Sequence, residues 1–324
     1  MNLKECGLQA VINDFQAKHK MRILFEYRPQ SYLPEIQAYR DYLQKFDFVT
    51  TSDTNEMPEA NPKDYDVFWR FMGMARFQSA DVVVHEYNSL STAPFARFKN
   101  FLKKRLNHTP DFRVFLNQQV SREFNFNDGV PSGVRDMGIN KLFYQPSLCR
   151  KTFDHHLVYM GSLTKSRNLT GILEHISQDK HGLKILLIGE PEPELYKQFK
   201  NCAQITFTGR VPQKDIPQIA TTAFAGLNYT PDFYPYNVQT STKLLEYCAL
   251  GLNVVSTKYA WVKGFEEARK ANFFWLNDSF QGFDADNLEN YAFITPDVSD
   301  LEWNKVIDKS QIFENLFKEI GLKT

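Results

Sequence analysis

The stretch "TSTKLLEYCALGLNVVST", from Thr240 to Thr257, predicts a helix followed directly by a buried strand. It opens with hydroxyl side chains that are favoured at a helix N-terminus, and apolar residues then recur at helical spacing. It ends in a β-branched run that is typical of a strand. Lys243 and Glu246 lie one helical turn apart, and taken alone they are typical of a weak surface ion pair.

Short β-branched or aromatic runs alternate with helical segments along the rest of the chain. Strands are predicted at 22–27, 47–51, 66–72, 81–87, 113–120, 155–162, 183–190, 205–210, 224–230, 253–257 and 272–276. Helices are predicted at 33–46, 95–106, 169–179, 193–201, 213–222, 242–250 and 301–320, with an extra helix over 8–20. This alternation predicts an α/β fold of parallel sheets built by right-handed crossovers.

The two halves of the chain predict two separate sheets. Between them runs the turn-rich segment "VPSGVRDMGINKLFYQPSLCRKTFDHH", and we place the domain boundary near Gln145 to Lys151. We therefore expect domains at 1–148 and 149–300, with 301–324 as a final helix that packs on either domain and could return to the N-terminal one. Two facing, doubly wound domains would leave a cleft at the carboxyl ends of their strands, where ligands bind.

Composition narrows the class of protein. The 324 residues carry a formal net charge of zero, which argues against a general nucleic-acid binder. Cys6, Cys149, Cys202 and Cys248 are far apart, so neither a zinc site nor a disulfide framework is expected. The first residues lack the apolar core of a signal peptide, and no window approaches about 18 apolar residues. We therefore expect a cytoplasmic protein, with binding to a membrane surface left open.

Two further loops carry polar side chains after a strand. In "YMGSLTKSRNLTGILEHI" the strand ends at Gly161, and Ser162, Lys165 and Arg167 precede a helix, an arrangement that can hold an anion. In "ITFTGRVPQKDIPQIATT" Arg210 and Val211 follow a strand-ending glycine, where backbone groups can contact a planar base. Each loop taken alone is equally typical of an ordinary surface loop with solvated charges.

Read together, "MGSLTKSR", "FTGRV" and "STKLLEYCALGLNVVST" resemble the donor-binding domain of the family 4 glycosyltransferases, which have the GT-B fold. The resemblance covers roughly 130–290 in sequence and the first 125 residues only in architecture. It implies a nucleotide-sugar donor in the C-terminal domain and an acceptor in the N-terminal domain. Glu246 would hold the donor ribose, Arg167 would hold the diphosphate, and backbone at Arg210 and Val211 would meet the base. The other donor-binding candidates are Gly161, Ser162, Lys165, Thr240, Ser241, Thr242 and Lys243.

The sequence also departs from the family pattern. Val238 stands where the family often has a first Glu, eight positions before Glu246, and Ser162 replaces the usual Arg after the glycine. Lys165, Lys243 or Arg210 would then supply the missing charge. These departures leave open a catalytically degenerate GT-B subunit that binds a nucleotide sugar or a partner. A phosphorylase or an epimerase is a weaker alternative, and a Rossmann dehydrogenase is weaker still because no GxGxxG follows an early strand.

The resemblance predicts a glycosyltransferase that moves a sugar from a nucleoside-diphosphate sugar to a glycan or lipid-linked acceptor in cell-surface polysaccharide or glycolipid synthesis. A UDP-sugar is favoured, and a GDP-sugar is the other candidate. The family implies retention of stereochemistry. No cofactor or divalent metal is required, because cations and helix N-termini can stabilise the departing phosphate.

The N-terminal half offers candidates for the acceptor side. "DVVVHEYNSLST" places His85, Glu86, Tyr87 and Asn88 at the carboxyl end of a strand, and Arg28 follows the first strand. We interpret His85 and Glu86 as the candidate catalytic residues, which would touch the sugar or the acceptor hydroxyl. The alternative is that one of them is a buried, hydrogen-bonded strand residue.

The segment "APFARFKNFLKKRLNH" predicts a basic amphipathic helix. Its apolar stripe comprises Phe95, Phe98, Phe101, Leu102 and Leu106, and the remainder carries Arg97, Lys99, Lys103, Lys104 and Arg105. Such a helix can lie on an anionic membrane, so 95–106 is a candidate membrane-binding segment and a peripheral location on the inner face of the cytoplasmic membrane is possible. In the alternative the stripe faces the sheet and the lysines face water.

Overall fold

A computed structural model describes residues 20–28, 33–74, 80–92, 94–144 and 152–321. The chain divides into two compact units: unit 1 is Met1–Gly138 with Leu301–Thr324, and unit 2 is Ile139–Asp300. The predicted boundary at 145–151 and almost all of the expected helix over 8–20 lie outside the described residues. Cys6 and Cys149 lie outside them too, and Cys202 and Cys248 are free thiols.

Unit 1 is built on a six-stranded parallel sheet in the order β2-β1-β3-β4-β5-β6. The strands are β1 Met21–Phe25, β2 Val49–Asp53, β3 Val67–Phe71, β4 Val82–Tyr87, β5 Phe112–Phe115 and β6 Ser132–Val134. Its first helices are α1 Pro34–Leu43, α2 Ala96–Leu106 and α3 Gln118–Phe124, with a 3-10 turn at Pro62–Asp64. The strand order reverses direction between β1 and β3, so the switch point of this sheet lies at their carboxyl ends.

Unit 2 is built on a second six-stranded parallel sheet in the order β12-β11-β10-β7-β8-β9. The strands are β7 His155–Met160, β8 Ile185–Ile188, β9 Ile205–Gly209, β10 Ala223–Asn228, β11 Asn253–Thr257 and β12 Phe274–Leu276. The helices are α4 Thr170–Gln178, α5 Pro193–Phe199, α6 Ile216–Ala220, α7 Thr242–Ala249, α8 Ala260–Arg269 and α9 Ala285–Glu289. Short 3-10 turns lie at Lys141–Phe143, Lys165–Arg167, Gln213–Asp215, Tyr236–Val238 and Ser299–Leu301. The switch point of this sheet lies between β7 and β10.

The segment predicted as a single helix over 301–320 forms two helices, α10 Trp303–Ser310 and α11 Ile312–Gly321. Gln311 interrupts them because it adopts a left-handed conformation with φ 52°. Trp303, Phe313 and Phe317 belong to the buried core of unit 1. The Phe313 ring meets Tyr39 of α1 edge-on, with 5.2 Å between the centroids. The last two helices thus complete the aromatic core of unit 1.

The predicted fold class, α/β with two doubly wound sheets, is confirmed. Strand β6 was not predicted, because "SGV" is only three residues long and has no apolar pattern. A Cβ on its Gly133 would lie 2.9 Å from Ile312 Cγ2, so the glycine gives α11 room to pack on the sheet. No helix within the described ranges is long and apolar enough to cross a membrane.

Candidate functional site

At the switch point of unit 2, two glycines leave the backbone without side chains. Strand β7 runs into Gly161, whose φ is +115°, and Gly189 after β8 has a φ of +147°. A Cβ on Gly189 would overlap the carbonyl oxygen of Gly161, so the two backbones approach as closely as only glycine permits. Gly161 N also donates to Ile188 O over 2.9 Å, which fixes the loop to the sheet. The edge therefore has room for a ligand directly after β7.

The N-terminus of α7 is fixed beside this edge. Ser241 is its N-cap, and the Ser241 hydroxyl accepts a hydrogen bond from Leu244 N over 3.4 Å. The same hydroxyl donates over 2.8 Å to the side-chain oxygen of Asn228, which is fully buried at the end of β10. Asn228 in turn donates to Ser256 and Tyr259 at 2.9 and 3.1 Å. The start of α7 is thus positioned by buried side chains of the sheet.

Lys243 lies against the bare loop instead of pairing on the surface. Its Cε is 3.5 Å from where a Cβ of Gly161 would stand, and its Nζ is 5.2 Å from the centre of the Tyr159 ring. Burial, with a smaller contribution from the neighbouring Arg167, lowers the pKa of Lys243 to about 7 against the opposing effect of Glu246. A cation held in this way is available for an anionic ligand.

Glu246 lies one turn further along α7 and is partly buried. Burial raises the pKa of Glu246 to about 8, and Lys243 opposes that rise. Within the described ranges no ion pair joins the two side chains, so the surface-pair interpretation does not describe them. Thr240 and Thr242 are partly exposed on either side of the Ser241 cap.

The loop after Gly161 brings hydroxyls and a guanidinium to the same edge. Ser162, Thr164 and Ser166 form a chain of hydroxyl hydrogen bonds of 3.0 and 2.9 Å. Arg167 closes the 3-10 turn and lies over Tyr236, with 5.6 Å between its Cζ and the ring centre. The effect of Arg167 on the pKa of Lys243 shows that these two cations are neighbours. The structure thus gathers Gly161, Lys243 and Arg167, while Lys165 is exposed.

Arg210 and Val211 follow β9 at the same edge of the sheet. Because β8 lies between β7 and β9, they are separated from the Lys243 cluster by one strand. Arg210 is exposed and Val211 is partly buried.

The sequence interpretation missed two polar side chains beside Val238. Asn237 Oδ1 and Gln239 Nε2 are buried, and neither atom has a hydrogen-bond partner within the described part of the chain. Both flank Val238 where a 3-10 turn leads toward α7. Their position beside the replaced family Glu was the signal that could have found them, because a buried amide without a partner is costly unless a ligand satisfies it.

In unit 1, the candidate catalytic residues His85 and Glu86 lie inside the fold. Glu86 is fully buried, and its carboxylate accepts hydrogen bonds from Trp69 Nε1 at 2.7 Å, Tyr39 OH at 3.0 Å and the Arg135 guanidinium. His85 is also buried, and burial lowers its pKa to about 3, so the ring is neutral. This burial favours a structural role for Glu86, and the catalytic assignment of both residues stays a prediction.

The three acceptor-side candidates have different environments. Tyr87 is buried in an aromatic cluster and stacks on Phe115 at 5.4 Å. Asn88 bridges a buried ion cluster, since it donates to Glu35 at 3.1 Å and accepts from Arg135 at 3.2 Å. Arg28 is partly accessible, because about a third of its side chain (32%) is exposed.

The basic helix α2 exposes its apolar stripe. Phe95, Phe98, Phe101 and Leu106 are exposed, by 58% at Phe98 and 52% at Phe101. Asn100 is the one buried residue of α2. The structure therefore does not support the alternative in which the apolar stripe faces the sheet.

Solved structures share this architecture over nearly the whole chain. The Anabaena protein HepE, solved with UDP and glucose, matches with a TM-score of 0.60 and 13% identity over 94% of this chain and 98% of its own. AviGT4, a glycosyltransferase of avilamycin A biosynthesis, matches at 0.58 and 12% over 94% and 99%. The chain has the GT-B fold. WaaG, a GT-B glycosyltransferase of lipopolysaccharide biosynthesis, matches at 0.57 and 10% over 93% and 94%.

The predicted GT-B fold is thus confirmed, while membership of family 4 stays a prediction. No protein-family model and no curated protein matches the sequence. Among the described residues, no group of three or more His, Cys, Asp or Glu side chains could hold a metal ion.

Proposed function

We propose that this GT-B chain is a glycosyltransferase that moves a sugar from a nucleoside-diphosphate sugar to a glycan or lipid-linked acceptor in cell-surface polysaccharide or glycolipid synthesis. The observation that carries the proposal is the unit 2 switch point, where Lys243, Arg167 and the α7 N-terminus surround bare glycine backbone. UDP-sugars are the favoured donors, since HepE was solved with UDP and with UDP-glucose. GDP-sugars are the second candidate.

The diphosphate is the part of the donor that these groups fit. The α7 N-terminus offers free N–H groups and a positive dipole end, and Lys243 and Arg167 add two formal charges. Ser162, Lys165 and the hydroxyls of residues 240–242 extend the same polar rim. As the sugar bond breaks, negative charge grows on the leaving phosphate, and positioned cations stabilise it. This chemistry requires no metal ion.

The rest of the donor is assigned by analogy with the family 4 motif. Glu246 would hold the ribose hydroxyls, and backbone at Arg210 and Val211 would meet the base. Asn237 and Gln239 would contact the sugar where the family Glu is replaced by Val238, because their buried amide atoms lack partners within the described ranges. Retention of stereochemistry belongs to the same proposal.

The acceptor would bind on unit 1 near Arg28, Tyr87 and Asn88, at the carboxyl edge of its sheet. His85 and Glu86 are the candidate catalytic residues of this edge, and both side chains are buried.

A peripheral membrane location is part of this proposal, since the exposed Phe98 and Phe101 lie on a helix that also carries five cations. The test is flotation with vesicles that contain anionic lipid. The double variant Phe98→Ser and Phe101→Ser should lose most of the binding, whereas Phe153→Ser, an exposed phenylalanine of unit 2, should keep it. Equal flotation of all three proteins would refute the membrane assignment.

Thermal unfolding with UDP, UDP-glucose, GDP and CMP tests the donor assignment. A ligand at a hundred times its Kd stabilises the folded state by about 2.7 kcal/mol, so UDP should raise the Tm clearly. Glu246→Ala should weaken UDP binding about two- to tenfold, because with a pKa of about 8 Glu246 makes neutral hydrogen bonds near pH 7, each worth about 0.5–1.5 kcal/mol. Glu194→Ala, an exposed residue of α5, is the matched control. No shift with any nucleotide would overturn the proposal, and binding without sugar transfer or donor hydrolysis would favour a degenerate subunit.

A further inference from the structure

The switch point of unit 1 carries a cluster of cations around one carboxylate. Glu26 follows β1 directly, and its two carboxylate oxygens accept from different guanidinium groups. Arg28 Nη2 lies 3.1 Å from one oxygen, and Arg70 Nη2 lies 3.0 Å from the other. One negative charge is thus shared by two positive charges at the edge where a doubly wound sheet binds ligands.

Bare backbone lies beneath the Arg28 guanidinium. A Cβ on Gly73, two residues after β3, would overlap Arg28 Nη1, so the guanidinium rests on the backbone of Gly73. The Gly73 carbonyl accepts from Asn107 Nδ2 over 3.1 Å, which ties the end of α2 to this point. Arg28 is therefore held in place while about a third of it (32%) faces solvent.

Lys103 of α2 adds a third cation. It is partly buried, and burial lowers its pKa, with Arg28 and then Lys99 lowering it further. No carboxylate acts on Lys103 in the opposite direction, and within the described ranges no ion pair includes it. Arg28 and Arg70 therefore share the carboxylate of Glu26, and Lys103 acts on Arg28 without a carboxylate of its own, so the three cations exceed Glu26 by two positive charges.

The layer below the cluster holds polar atoms that the fold leaves unsatisfied. Arg70 Nε and both ring nitrogens of His85 are buried and have no hydrogen-bond partner within the described residues. Arg70 and His85 are neighbours in the register of β3 and β4. These two side chains therefore supply no anion to the cluster.

We propose that this cluster binds a phosphate group of the acceptor, which makes the acceptor a phosphorylated glycan or a phosphate-bearing lipid. This inference rests on the proposed function. A phosphate monoester carries about −1.5 to −2 charge near pH 7, which matches an excess of two cations. A carboxylate carries one charge and would leave the cluster half neutralised. Guanidinium groups also match phosphate geometry, since their fork of donors can bind two oxygens together.

The test is calorimetric titration of the full chain with inorganic phosphate, after the unit 2 site has been saturated with UDP. Lys103→Met and Arg28→Gln should each weaken phosphate binding about tenfold or more, as expected when a charged hydrogen bond is lost. Lys63→Met makes the same charge change at an exposed site of unit 1 and should leave the affinity unchanged. Glucuronate, the carboxylate probe, should bind at least about tenfold more weakly than phosphate.

A second variant of Lys103 distinguishes loss of the cation from misfolding. Lys103→Arg keeps the charge and should restore most of the affinity if Lys103→Met loses it by losing the cation. Equal phosphate affinity in the wild type, Lys103→Met and Lys63→Met would overturn the inference. Glucuronate binding as tightly as phosphate would overturn it as well.

The outcomes separate this inference from the proposed function. If UDP binds but phosphate does not bind beside it, the inference fails and the donor site stands. If UDP does not bind, the donor assignment fails, and the titration is repeated in Lys243→Met, where the unit 2 cation is absent. Competition then identifies the source of the phosphate: glucose 6-phosphate represents a glycan, and vesicles with phosphatidic acid represent a lipid.

Discussion

Both units gather charged side chains near the carboxyl edge of their sheets, but the buried set around Arg135 in unit 1 and the Lys243 set in unit 2 are neutralised differently. In unit 1 Arg135 is buried with Glu35 and Glu86, and the distance from Arg135 Nη2 to Glu35 Oε1 is 2.9 Å. In unit 2 Lys243 and Arg167 are adjacent cations, and no carboxylate forms an ion pair with Lys243 within the described residues. Charges that the fold itself pairs stabilise that fold, whereas charges without such partners mark where a ligand can bind.

The Arg135 cluster is close to complete in itself. Its Nε donates to Tyr39 OH over 2.7 Å, and Asn88 and Trp69 supply further hydrogen bonds to the cluster. Burial raises the pKa of Glu35 against the opposing effect of Arg135, so Glu35 holds a proton to higher pH than a free Glu. If Glu35 carries a proton, Glu86 is the one carboxylate of the cluster that remains to pair with the Arg135 guanidinium.

Removing the central cation of unit 1 should give the largest effect. Arg135→Met leaves Glu35 and Glu86 buried without a counter-charge, and the free energy of unfolding should fall by about 3–5 kcal/mol. Denaturant unfolding measures the change, with Arg122→Met at an exposed site as the control. A loss below about 1 kcal/mol would show that the cluster is not structural, and the comparison with unit 2 would fail.

The equivalent change in unit 2 should affect binding instead of folding. Lys243→Met should weaken UDP binding by about 1.5–3 kcal/mol, which is tenfold or more, while unfolding in the absence of ligand stays within about 1 kcal/mol. Calorimetry with UDP measures the affinity. Lys184→Met, exposed before β8 at the opposite edge of the sheet, should bind UDP as the wild type does. A large stability loss in Lys243→Met would place Lys243 with the structural charges.

Adding a side chain at Gly161 should lower both the stability of the fold and the affinity for UDP. Gly161→Ala forces a residue with a Cβ into φ +115°, and such strain costs about 1–3 kcal/mol. Thermal unfolding and UDP titration measure the two effects. Gly251→Ala, at φ +71° with open space around it, is the control, because it adds local strain away from Lys243. Gly251→Ala should lose stability but keep UDP affinity, and a parallel loss of affinity would refute the local interpretation.

The smallest effect should be on the pH dependence of UDP-glucose binding. The ammonium form of Lys243 attracts the diphosphate, and its pKa of about 7 in the empty site means that affinity falls as pH rises from 7. The fall should approach tenfold per pH unit at most, since one proton is taken up on binding. Calorimetry from pH 6 to 9 should show a flatter profile for Lys243→Met.

Short β-branched, apolar or aromatic runs made both sheets predictable, because every described strand except β6 overlaps such a run. The N-cap at Ser241 could be predicted for the same local reason. Tertiary contacts could not be read in this way. His85 and Glu86 looked like site residues because they end a strand, but the buried carboxylate of Glu86 pairs with Arg135, which lies 49 positions beyond it.

Features of the candidate site that depend on the pairing of distant residues were also hidden. The contact of Arg28 with Gly73 joins two strands, and the exposure of Phe98 depends on which face of α2 the sheet covers. A helical pattern shows that an apolar stripe exists, but not whether anything covers it. Asn237 and Gln239 flank the replaced family Glu, but their burial without partners could not be predicted from the sequence.

The two-part composition of unit 1 has a consequence for synthesis on the ribosome. Unit 2 is one continuous stretch, so it can close as soon as residue 300 has emerged. The core around Tyr39 and Trp69 must wait for Phe313 and Phe317, which are made after unit 2. The usual order, in which the N-terminal unit folds first, is therefore reversed. During translation the aromatic core residues of unit 1 therefore stay uncovered. This exposed face can be bound by chaperones or can lead to aggregation.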